Sequence, residues 1–362
     1  MSRYNRHIIL SEISQTGQDK LSKAKVLVIG AGGLGCPILQ YLAAAGVGTL
    51  GIMDFDTVEL SNLQRQILFG TSSLGKNKAE AAKHRLEDLN DTISITAYPE
   101  RLTHQNAIAL FDQYDIIVDG TDNFETRYLI NDAAIITNKP FVFGAIYKFE
   151  GQVSVFNYNE GPSYRCLFSK QPKNNALNCS EVGVLGVLPG IIGTMQANEV
   201  LKIILEIGSV LSGKLLCYNA LTLQSSILNI NRSEEEINKV LHEKDSFSVK
   251  NMSIDCDSKL KDISIKDVLI TKNIQFIDVR ETHELPKIEA MEVLSIPLGD
   301  LENNLDKIDL AKEKMIFCQS GIRSKQAVYK LEHLNVANCY AIKEGVAEIK
   351  EHLGNLQKEV NI

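Results

Sequence analysis

The chain has no Cys-x-x-Cys pair, no surplus of basic residues and no apolar leader among its 362 residues. Its seven cysteines are odd in number and irregularly spaced, which is typical of reduced thiols in the cytoplasm. A net charge of −7 argues against nucleic acid as the main partner, because neutralising phosphates requires a basic face. We therefore expect a cytoplasmic protein without a signal peptide that needs neither nucleic acid nor a membrane.

Long hydrophobic runs are also scarce. The uncharged stretch Val26–Met53 is long enough to cross a bilayer, but it contains seven glycines and a proline. Glycine and proline interrupt helices, so this stretch predicts a strand, a turn, a helix and a second strand. The sequence therefore favours a globular protein over a membrane protein, in keeping with 44% hydrophobic and 23% charged residues.

Strand-like apolar runs alternate with helical patterns through the first half of the chain, as in βαβ units. The predicted fold class is α/β, with a Rossmann-like, mostly parallel sheet, antiparallel additions after residue 141, and a smaller α/β domain behind it. We place the first domain at residues 1–230 and the second at 258–362. Residues 231–257 are polar and weakly periodic, which predicts a linker with room for one short helix.

A glycine-rich turn is the first candidate site. Gly30, Gly32 and Gly33 follow a predicted strand and precede a predicted helix. In that context glycines let the backbone approach phosphate oxygens, and the helix N-terminus favours their negative charge. Asp54 ends the next strand, where an acidic side chain would bind ribose hydroxyls. ATP, NAD and FAD sites all use such a turn, so an NAD-dependent oxidoreductase remains an alternative.

Cationic side chains favour ATP over NAD. Arg65 is placed to reach the β- or γ-phosphate, and Asn62 could add a hydrogen-bond donor. Lys78, at a predicted helix start, and Arg6 could supply further positive charge. An oxidoreductase would leave these cations unexplained, so the pattern predicts a triphosphate pocket.

A carboxylate follows the fourth predicted strand. Asp122, next to Asn123, lies at the carboxyl edge of the sheet, where open α/β sheets bind ligands. Carboxylate oxygens suit Mg²⁺ bridging phosphates. Asp122 could also cap the helix predicted from Asn123 to Thr137, and the two roles are compatible.

A second candidate site lies near the other end of the chain, in the segment Cys318–Ser324. It follows a predicted strand and precedes a helix, so its backbone N–H groups can curl around the Cys318 thiol. Such a loop would stabilise a persulfide, with Arg323 adding charge or bracing the loop. Phosphatase loops of this kind have one more residue between cysteine and arginine, so this spacing favours sulfur.

The first 230 residues resemble the MoeB/ThiF family, the bacterial relatives of ubiquitin-activating enzymes. The resemblance rests on Arg3–Arg6, Gly30–Gly35, Asp54–Asp56, Ser61–Gln66, Gly75–Lys78 and Thr121–Asn123. It implies ATP-dependent adenylation of the C-terminal glycine of a ubiquitin-like sulfur carrier that ends in Gly-Gly. It also implies a homodimer, in which Arg6 enters the neighbouring subunit's site. The nucleotide-binding residues that it implies are Gly33, Asp54, Ser61, Asn62, Arg65, Lys78, Asp122 and Asn123.

Cys166 and Cys179 can be compared with cysteines of the MoeB/ThiF family. Many members hold a structural zinc with two Cys-x-x-Cys pairs, but here the first pair is reduced to Cys166-Leu-Phe-Ser169 and the second is missing. One thiolate cannot make a tetrahedral zinc site, so we expect no zinc and an ordinary buried thiol at Cys166. Cys179 matches a family cysteine that can bond to the carrier or to sulfur, although an idle thiol is an equal alternative.

Residues 258–356 resemble a rhodanese domain, through Ile277–Glu281, Ile296–Leu298, the Cys318 loop and Gly345–Ile349. The usual signature is missing between Thr282 and Leu294. The combined hypothesis is a fused adenylyltransferase and sulfurtransferase that takes sulfur from a persulfide donor and makes a carrier thiocarboxylate, for molybdopterin, thiamine or another product. A carrier-binding scaffold without turnover and adenylation of a different peptide C-terminus remain alternatives.

Overall fold

We describe a computed structural model of the full chain. The structure describes residues 3–170, 183–249, 262–268, 273–288, 292–319, 321–334 and 336–352. Cys179, a candidate nucleophile, lies outside the described residues. The chain divides into two compact units, Met1–Met252 and Ser253–Ile362, and each is described by itself.

The first unit is built on an eight-stranded sheet with the order β3-β2-β1-β4-β5-β6-β7-β8. Strands β1 to β5 are parallel, and β6 to β8 continue the sheet in antiparallel fashion. The prediction of a large, mostly parallel α/β sheet is therefore confirmed. The strands are β1 (Lys25–Ile29), β2 (Thr49–Met53), β3 (Ser94–Tyr98), β4 (Ile116–Asp119), β5 (Phe141–Tyr147), β6 (Glu150–Phe156), β7 (Lys214–Asn219) and β8 (Gln224–Asn229).

Alternate residues of the central strands enter two different cores. In β1, Val26 and Val28 pack into one buried cluster, whereas Leu27 and Ile29 pack into another on the opposite face. A strand that is buried on both faces needs an almost continuous apolar sequence, which explains why β1 has no alternation. The register pairs Ile29 with both Met53 and Asp119, so three strands end at one edge.

Helices cover both faces of this sheet. One of them, α8 (Leu188–Leu205), is an 18-residue helix with buried residues on most of its sides, which is typical of a helix packed inside a core. Helices α3, α4 and α8 contribute to one core, and α5 and α6 to the other. The helices are α1 (Asn5–Ile8), α2 (Ser14–Lys23), α3 (Gly35–Ala45), α4 (Lys78–Leu89), α5 (His104–Phe111), α6 (Phe124–Ile136), α7 (Tyr164–Leu167), α8 (Leu188–Leu205) and α9 (Glu234–His242).

Of the segment predicted as a linker, residues 231–257, the described part up to residue 249 packs into the first unit. Ile237 and Val240 of α9 are buried against Ile135 of α6. Phe247 is also buried, and its ring centroid lies 4.8 Å from that of His104. Large apolar residues are few in this segment, but Ile237 and Val240 are three positions apart, a spacing that places them on one face of α9.

The second unit contains a five-stranded, all-parallel sheet with the order β11-β10-β12-β13-β9. Its central strand, β12, ends one residue before Cys318. Buried clusters lie on both faces of the sheet. The elements are β9 (Asp262–Ile263), α10 (Ile265–Val268), β10 (Ile274–Asp278), β11 (Val293–Ser295), β12 (Glu313–Phe317), α11 (Ile322–His333), β13 (Cys339–Ile342) and a helix over residues 346–352.

Across the described parts of both units, every helix is too short or too polar to span a membrane.

Candidate active sites

The glycine turn between β1 and α3 is closed by backbone contacts. Gly30 has a φ of +93°, a conformation that suits glycine. A Cβ at Gly30 would lie 2.8 Å from Gly120 O, and one at Gly35 only 2.0 Å from Gly30 O. At Gly32 a Cβ would meet Gln66 Nε2 at an ordinary 3.8 Å. Gly30 and Gly35 are therefore required by packing, whereas Gly32 leaves room for a ligand.

Asp54 ties the end of β2 to this turn. Its Oδ2 accepts a hydrogen bond from Ala31 N at 2.8 Å, and its Oδ1 accepts one from Asp56 N at 2.9 Å. Burial raises the pKa of Asp54, and the nearby Lys78 ammonium opposes that rise. Each carboxylate oxygen can accept a second hydrogen bond, so Asp54 can still bind ribose hydroxyls.

Arg65 and Lys78, the two predicted cations, lie beside the turn. A Cβ at Gly33 would lie 3.6 Å from Arg65 Cγ, and the Arg65 guanidinium donates to Ser61 O at 3.2 Å. The Lys78 side chain is 9% exposed, and its Nζ lies 3.2 Å from Asp56 Oδ2. Both side chains thus lie close to the glycine turn, with Lys78 in an ion pair with Asp56.

Ser61 and Asn62 form part of a short 3₁₀ helix, Leu60–Asn62. Asn62 is buried, and its Oδ1 accepts a hydrogen bond from Glu59 N at 3.1 Å. Ser61 Oγ donates to a Glu59 carboxylate oxygen at 3.3 Å. These contacts hold the segment that carries Arg65. Ser61 and Asn62 therefore position Arg65, in addition to any contact of their own with a nucleotide.

The loop after β4 brings Asp122 to the same edge of the sheet. Asp122 is exposed, and Gly120 in the same loop packs against Gly30. The helix that follows begins at Phe124, and its cap is Asn123, whose Oδ1 accepts from Thr126 N at 2.8 Å. The predicted capping role of Asp122 is therefore wrong: Asn123 has the extended backbone that a cap needs, which leaves Asp122 to face solvent.

The sequence analysis missed a buried network beneath this loop. Asp119 Oδ1 accepts from Thr121 N and Oγ1 at 2.8 and 2.6 Å, and Arg127 Nη2 donates to Thr121 O at 3.1 Å. Arg127 Nε lies 3.4 Å from Asp119 Oδ2. Burial raises the pKa of Asp119, against the effect of Arg127. An aspartate at the end of an apolar strand, such as Asp119, can be recognised in the sequence. Its partner Arg127, eight residues later, cannot.

An aromatic and a second arginine were also missed near Asp54. The Arg101 guanidinium carbon lies 3.9 Å from the centroid of the Phe55 ring, close enough for a cation–π contact. Burial raises the pKa of Glu125, and Arg101 opposes this. These residues come from three separate parts of the chain, two loops and the first turn of α6, so no local sequence pattern predicts their contact.

Arg6 does not join the site of its own chain. It is exposed on α1, next to a segment anchored by Arg3, which donates to Leu89 O at 2.7 Å. Leu89 is the last residue of α4, whose first residue is Lys78. A 12-residue helix is about 18 Å long, so Arg6 lies toward the opposite end of α4 from the phosphate-facing cations.

The Cys166 thiol accepts hydrogen bonds from two serine residues. Ser163 N and Ser233 N lie 3.3 and 3.2 Å from its Sγ. Cys166 is partly exposed, not buried as expected, and hydrogen bonds as well as packing hold this region. Among the described residues, no three His, Cys, Asp or Glu side chains could share a metal ion.

The Cys318 loop is compact. Cys318 is fully buried, and its carbonyl accepts from Val346 N at 3.1 Å. Ser324 Oγ lies 3.9 Å from the thiol and donates to Gly321 O at 2.9 Å. Gly321 caps α11 with a φ of +81°, and a Cβ there would lie 2.8 Å from Lys343 O. The chain therefore passes close to Lys343 at Gly321 and enters α11 at the next residue.

Two arginine–carboxylate pairs surround this loop. Arg280 donates to both oxygens of Asp278, and its Nη1 donates to Gln319 Oε1 at 3.2 Å, which links β10 to the loop. Arg323 donates from Nη1 and Nη2 to the two oxygens of Glu284 at 2.6 and 2.7 Å. The Arg323 guanidinium lowers the pKa of Glu284 to about 2, so the carboxyl stays ionised at physiological pH. Glu284 lies in the stretch where the rhodanese signature is missing, and the sequence analysis did not identify it.

The ThiF family model matches residues 4–239, and the chain belongs to this family. A sulfur carrier protein adenylyltransferase of Thermus thermophilus is 49% identical over 239 residues, 64% of this chain and 88% of that protein. A probable molybdopterin-synthase adenylyltransferase of Porphyra purpurea is 38% identical and covers 98% of this chain and 94% of its own length. The probable adenylyltransferase/sulfurtransferase MoeZ of Mycobacterium tuberculosis is 37% identical, with coverage of 96% and 92%.

Among solved structures, E. coli MccB with ATP has a TM-score of 0.54 and 24% identity, covering 65% of this chain and 73% of its own, and it supports the fold. The full-length relatives identify the chain as an enzyme with adenylyltransferase and sulfurtransferase activity. They give no support to the oxidoreductase alternative.

Two glycine substitutions separate the structural and ligand-facing parts of the turn. We expect Gly35→Ala to lower the free energy of unfolding by about 3 kcal/mol, because its Cβ would overlap backbone. Gly32→Ala should keep the free energy of unfolding within about 1 kcal/mol of the parent, yet weaken the stabilisation by added ATP. Denaturant unfolding measures the free energy of unfolding of each variant, and a thermal shift assay measures the stabilisation by added ATP. A fully stable Gly35→Ala protein would contradict the assignment.

Proposed function

We propose that the first unit adenylates the C-terminal glycine of a ubiquitin-like sulfur carrier ending in Gly-Gly, and that the second unit delivers sulfur from a Cys318 persulfide. The observation that carries the adenylation step is the grouping of Arg65 and Lys78 beside the glycine turn that Asp54 holds. The name of the Thermus thermophilus relative supports a sulfur carrier as substrate. That of the Porphyra purpurea relative supports the molybdopterin route, and the thiamine route stays a prediction.

In the first step, the carrier carboxylate attacks the α-phosphate of ATP, forming acyl-AMP and releasing pyrophosphate. The attacking group is already anionic, so no side chain needs to act as a general base. The glycine turn and the start of α3 offer N–H groups to the phosphates, and Asp54 holds the ribose. Arg65 and Lys78 neutralise the charge that builds on the departing pyrophosphate.

Magnesium fits this edge of the sheet, because Asp122 presents an exposed carboxylate there. Asp122 would hold the ion, which supplies further charge neutralisation to the phosphates. Asn123 caps α6, and Asp119 and Arg127 brace the loop, so they fix where the Asp122 backbone lies. The chain's own contribution is thus a preformed loop that needs little rearrangement to bind.

In the second step, the terminal sulfur of the Cys318 persulfide attacks the acyl-adenylate and displaces AMP, giving an acyl disulfide. A thiolate then attacks the Cys318 sulfur, forms a disulfide with it and releases the carrier thiocarboxylate. Cys179 is our candidate for this thiolate. The buried thiol at the end of the central strand of an all-parallel sheet supports the rhodanese-like role of the second unit.

Removing either cation tests the adenylation step. We expect Arg65→Ala and Lys78→Ala each to lower carrier-dependent ATP–pyrophosphate exchange by about 10²–10³-fold, as for other preorganised electrostatic contacts. Lys76→Ala is the matched control, because Lys76 is exposed two residues before Lys78. Exchange that survives both substitutions would refute the proposed pocket. Absence of exchange in the parent would favour a scaffold without turnover, and stimulation by an unrelated peptide alone would favour a different substrate.

A homodimer with Arg6 acting in the partner's site predicts complementation. Arg6→Ala and Arg65→Ala proteins should each be inactive alone. After unfolding and refolding together, hybrid dimers contain one intact site, so exchange should return to about a quarter of the parent value. Activity that stays at the level of the separate variants would place Arg6 outside the shared site.

Substituting Cys318 separates the two activities. We expect Cys318→Ala to keep pyrophosphate exchange near the parent rate and to abolish thiocarboxylate formation, because the persulfide has nowhere to form. Mass spectrometry of the carrier after incubation with ATP, Mg²⁺ and thiosulfate measures the product. Cys217→Ala, on β7 of the first unit, is the control. An unchanged yield of thiocarboxylate in Cys318→Ala would refute the sulfur step.

A further inference from the structure

Phe55 and Arg101 form an exposed pair in the first unit. The guanidinium carbon of Arg101 lies 3.9 Å from the centroid of the Phe55 ring, and Phe55 is 48% exposed. Arg101 is exposed as well, and within the described part of the chain its guanidinium forms no hydrogen bond or salt bridge. A guanidinium is planar, so one face of Arg101 covers the ring while the other face stays open.

The pair lies next to Asp54, the candidate for binding ribose. Phe55 follows Asp54 directly, and Asp54 N donates to Tyr98 O at 3.2 Å, where β3 ends. The chain that leaves β3 therefore passes the end of β2, and Arg101 is three residues further on. Segments that follow two neighbouring strands thus meet beside the carboxylate that would hold the ribose.

The sheet order places this pair at one side of a crevice. The strand order reverses at β1, which lies between β2 and β4, and open α/β sheets bind ligands outside the carboxyl ends of the strands at such a point. Glu125, in the first turn of α6, approaches from the β4 side. Burial raises the pKa of Glu125, and the positive charge of Arg101 opposes this rise, so the two side chains are near enough to interact.

A nucleotide at this edge would extend from β1 toward β3. Its triphosphate would lie at the glycine turn after β1 and its ribose at Asp54 after β2, which leaves the base beside the segment after β3. We propose that Arg101, held by Phe55, binds the base of the nucleotide by stacking the open face of its guanidinium on it. The inference rests on the proposed use of ATP, and it assigns the contact with the base, which the adenylation step leaves open.

Stacking on a base explains the Phe55–Arg101 pair better than a contact with phosphate does. Arginine binds phosphate through the N–H groups at the edge of the guanidinium, which needs no aromatic ring beneath it. A ring beneath the guanidinium fixes its plane, so less side-chain freedom is lost when a flat base stacks on it. Arg65 and Lys78 already supply cations beside the glycine turn.

Calorimetric titration of the full-length protein with ATP and Mg²⁺, without a carrier, tests this contact. We expect Arg101→Ala to raise the Kd for ATP about tenfold, because the base loses the side chain on which it stacks. Inorganic tripolyphosphate has the phosphates without a base, so its Kd should stay within twofold of the parent value. An arginine that binds phosphate would instead weaken both ligands when it is removed.

Three further variants separate the plane of the guanidinium from its charge. Arg101→Lys keeps the charge but loses the plane, so it should weaken ATP binding nearly as much as Arg101→Ala. Adding Phe55→Leu to Arg101→Ala should raise the Kd for ATP less than twofold further, because the two side chains act as one unit. Arg85→Ala is the matched control, since Arg85 is an exposed arginine of α4, and its Kd for ATP should match that of the parent.

An Arg101→Ala protein that keeps the parent Kd for ATP, or that binds ATP and tripolyphosphate equally poorly, would overturn the base contact and leave adenylation in place. Parent-like affinity for ATP in Arg101→Lys would also overturn it. A parent that binds ATP but shows no carrier-dependent pyrophosphate exchange would refute adenylation alone, because base binding is measured without a carrier. A parent that binds no ATP would refute both.

Discussion

The hydrogen bond from Ala31 N to the Asp54 carboxylate joins the first two strands at the edge where the ligand pocket forms. Gly30 N donates to Met53 O at 2.7 Å beside it, so the glycine turn is fixed from the β2 side. Gly120 then packs on Gly30 from the β4 side and sets the position of the loop that carries Asp122. These backbone contacts hold the turn to which we assign the triphosphate, beside Arg65 and Lys78.

Both units use the same physical arrangement for different chemistry. In each, a parallel strand ends at a turn that enters a helix, and the backbone N–H groups and helix N-terminus favour an anion there. In the first unit, Arg65 donates to a backbone carbonyl and Lys78 pairs with Asp56. In the second, Arg323 is held by a bidentate carboxylate. The cations near the two turns therefore have different kinds of partner.

Much of the fold could be predicted from the chain, because β1 and β2 are apolar runs separated by a glycine turn and one helix. The glycine turn and the Cys318 loop were recognisable for the same reason, because each is a contiguous motif that joins a strand to a helix. Predictions failed where a few residues acted through distant partners. Ile237 and Val240 pack on α6, about a hundred residues earlier in the chain, so the linker assignment missed them. The assignment of Asp122 as a cap failed by one residue, which is within the ordinary uncertainty of a helix start.

The sequence by itself determined which chemistry could be proposed for this protein: a glycine turn suited to phosphate, the cations Arg65 and Lys78, and a thiol in a short loop before a helix. The turn and the loop are each formed by neighbours in the chain, so their spacing carries the information. Only the tertiary structure decided how charges are paired. Glu284 meets Arg323 across 39 positions, and Ser233 meets Cys166 across 67. Such contacts are set by how strands and helices pack, and no local sequence pattern specifies them.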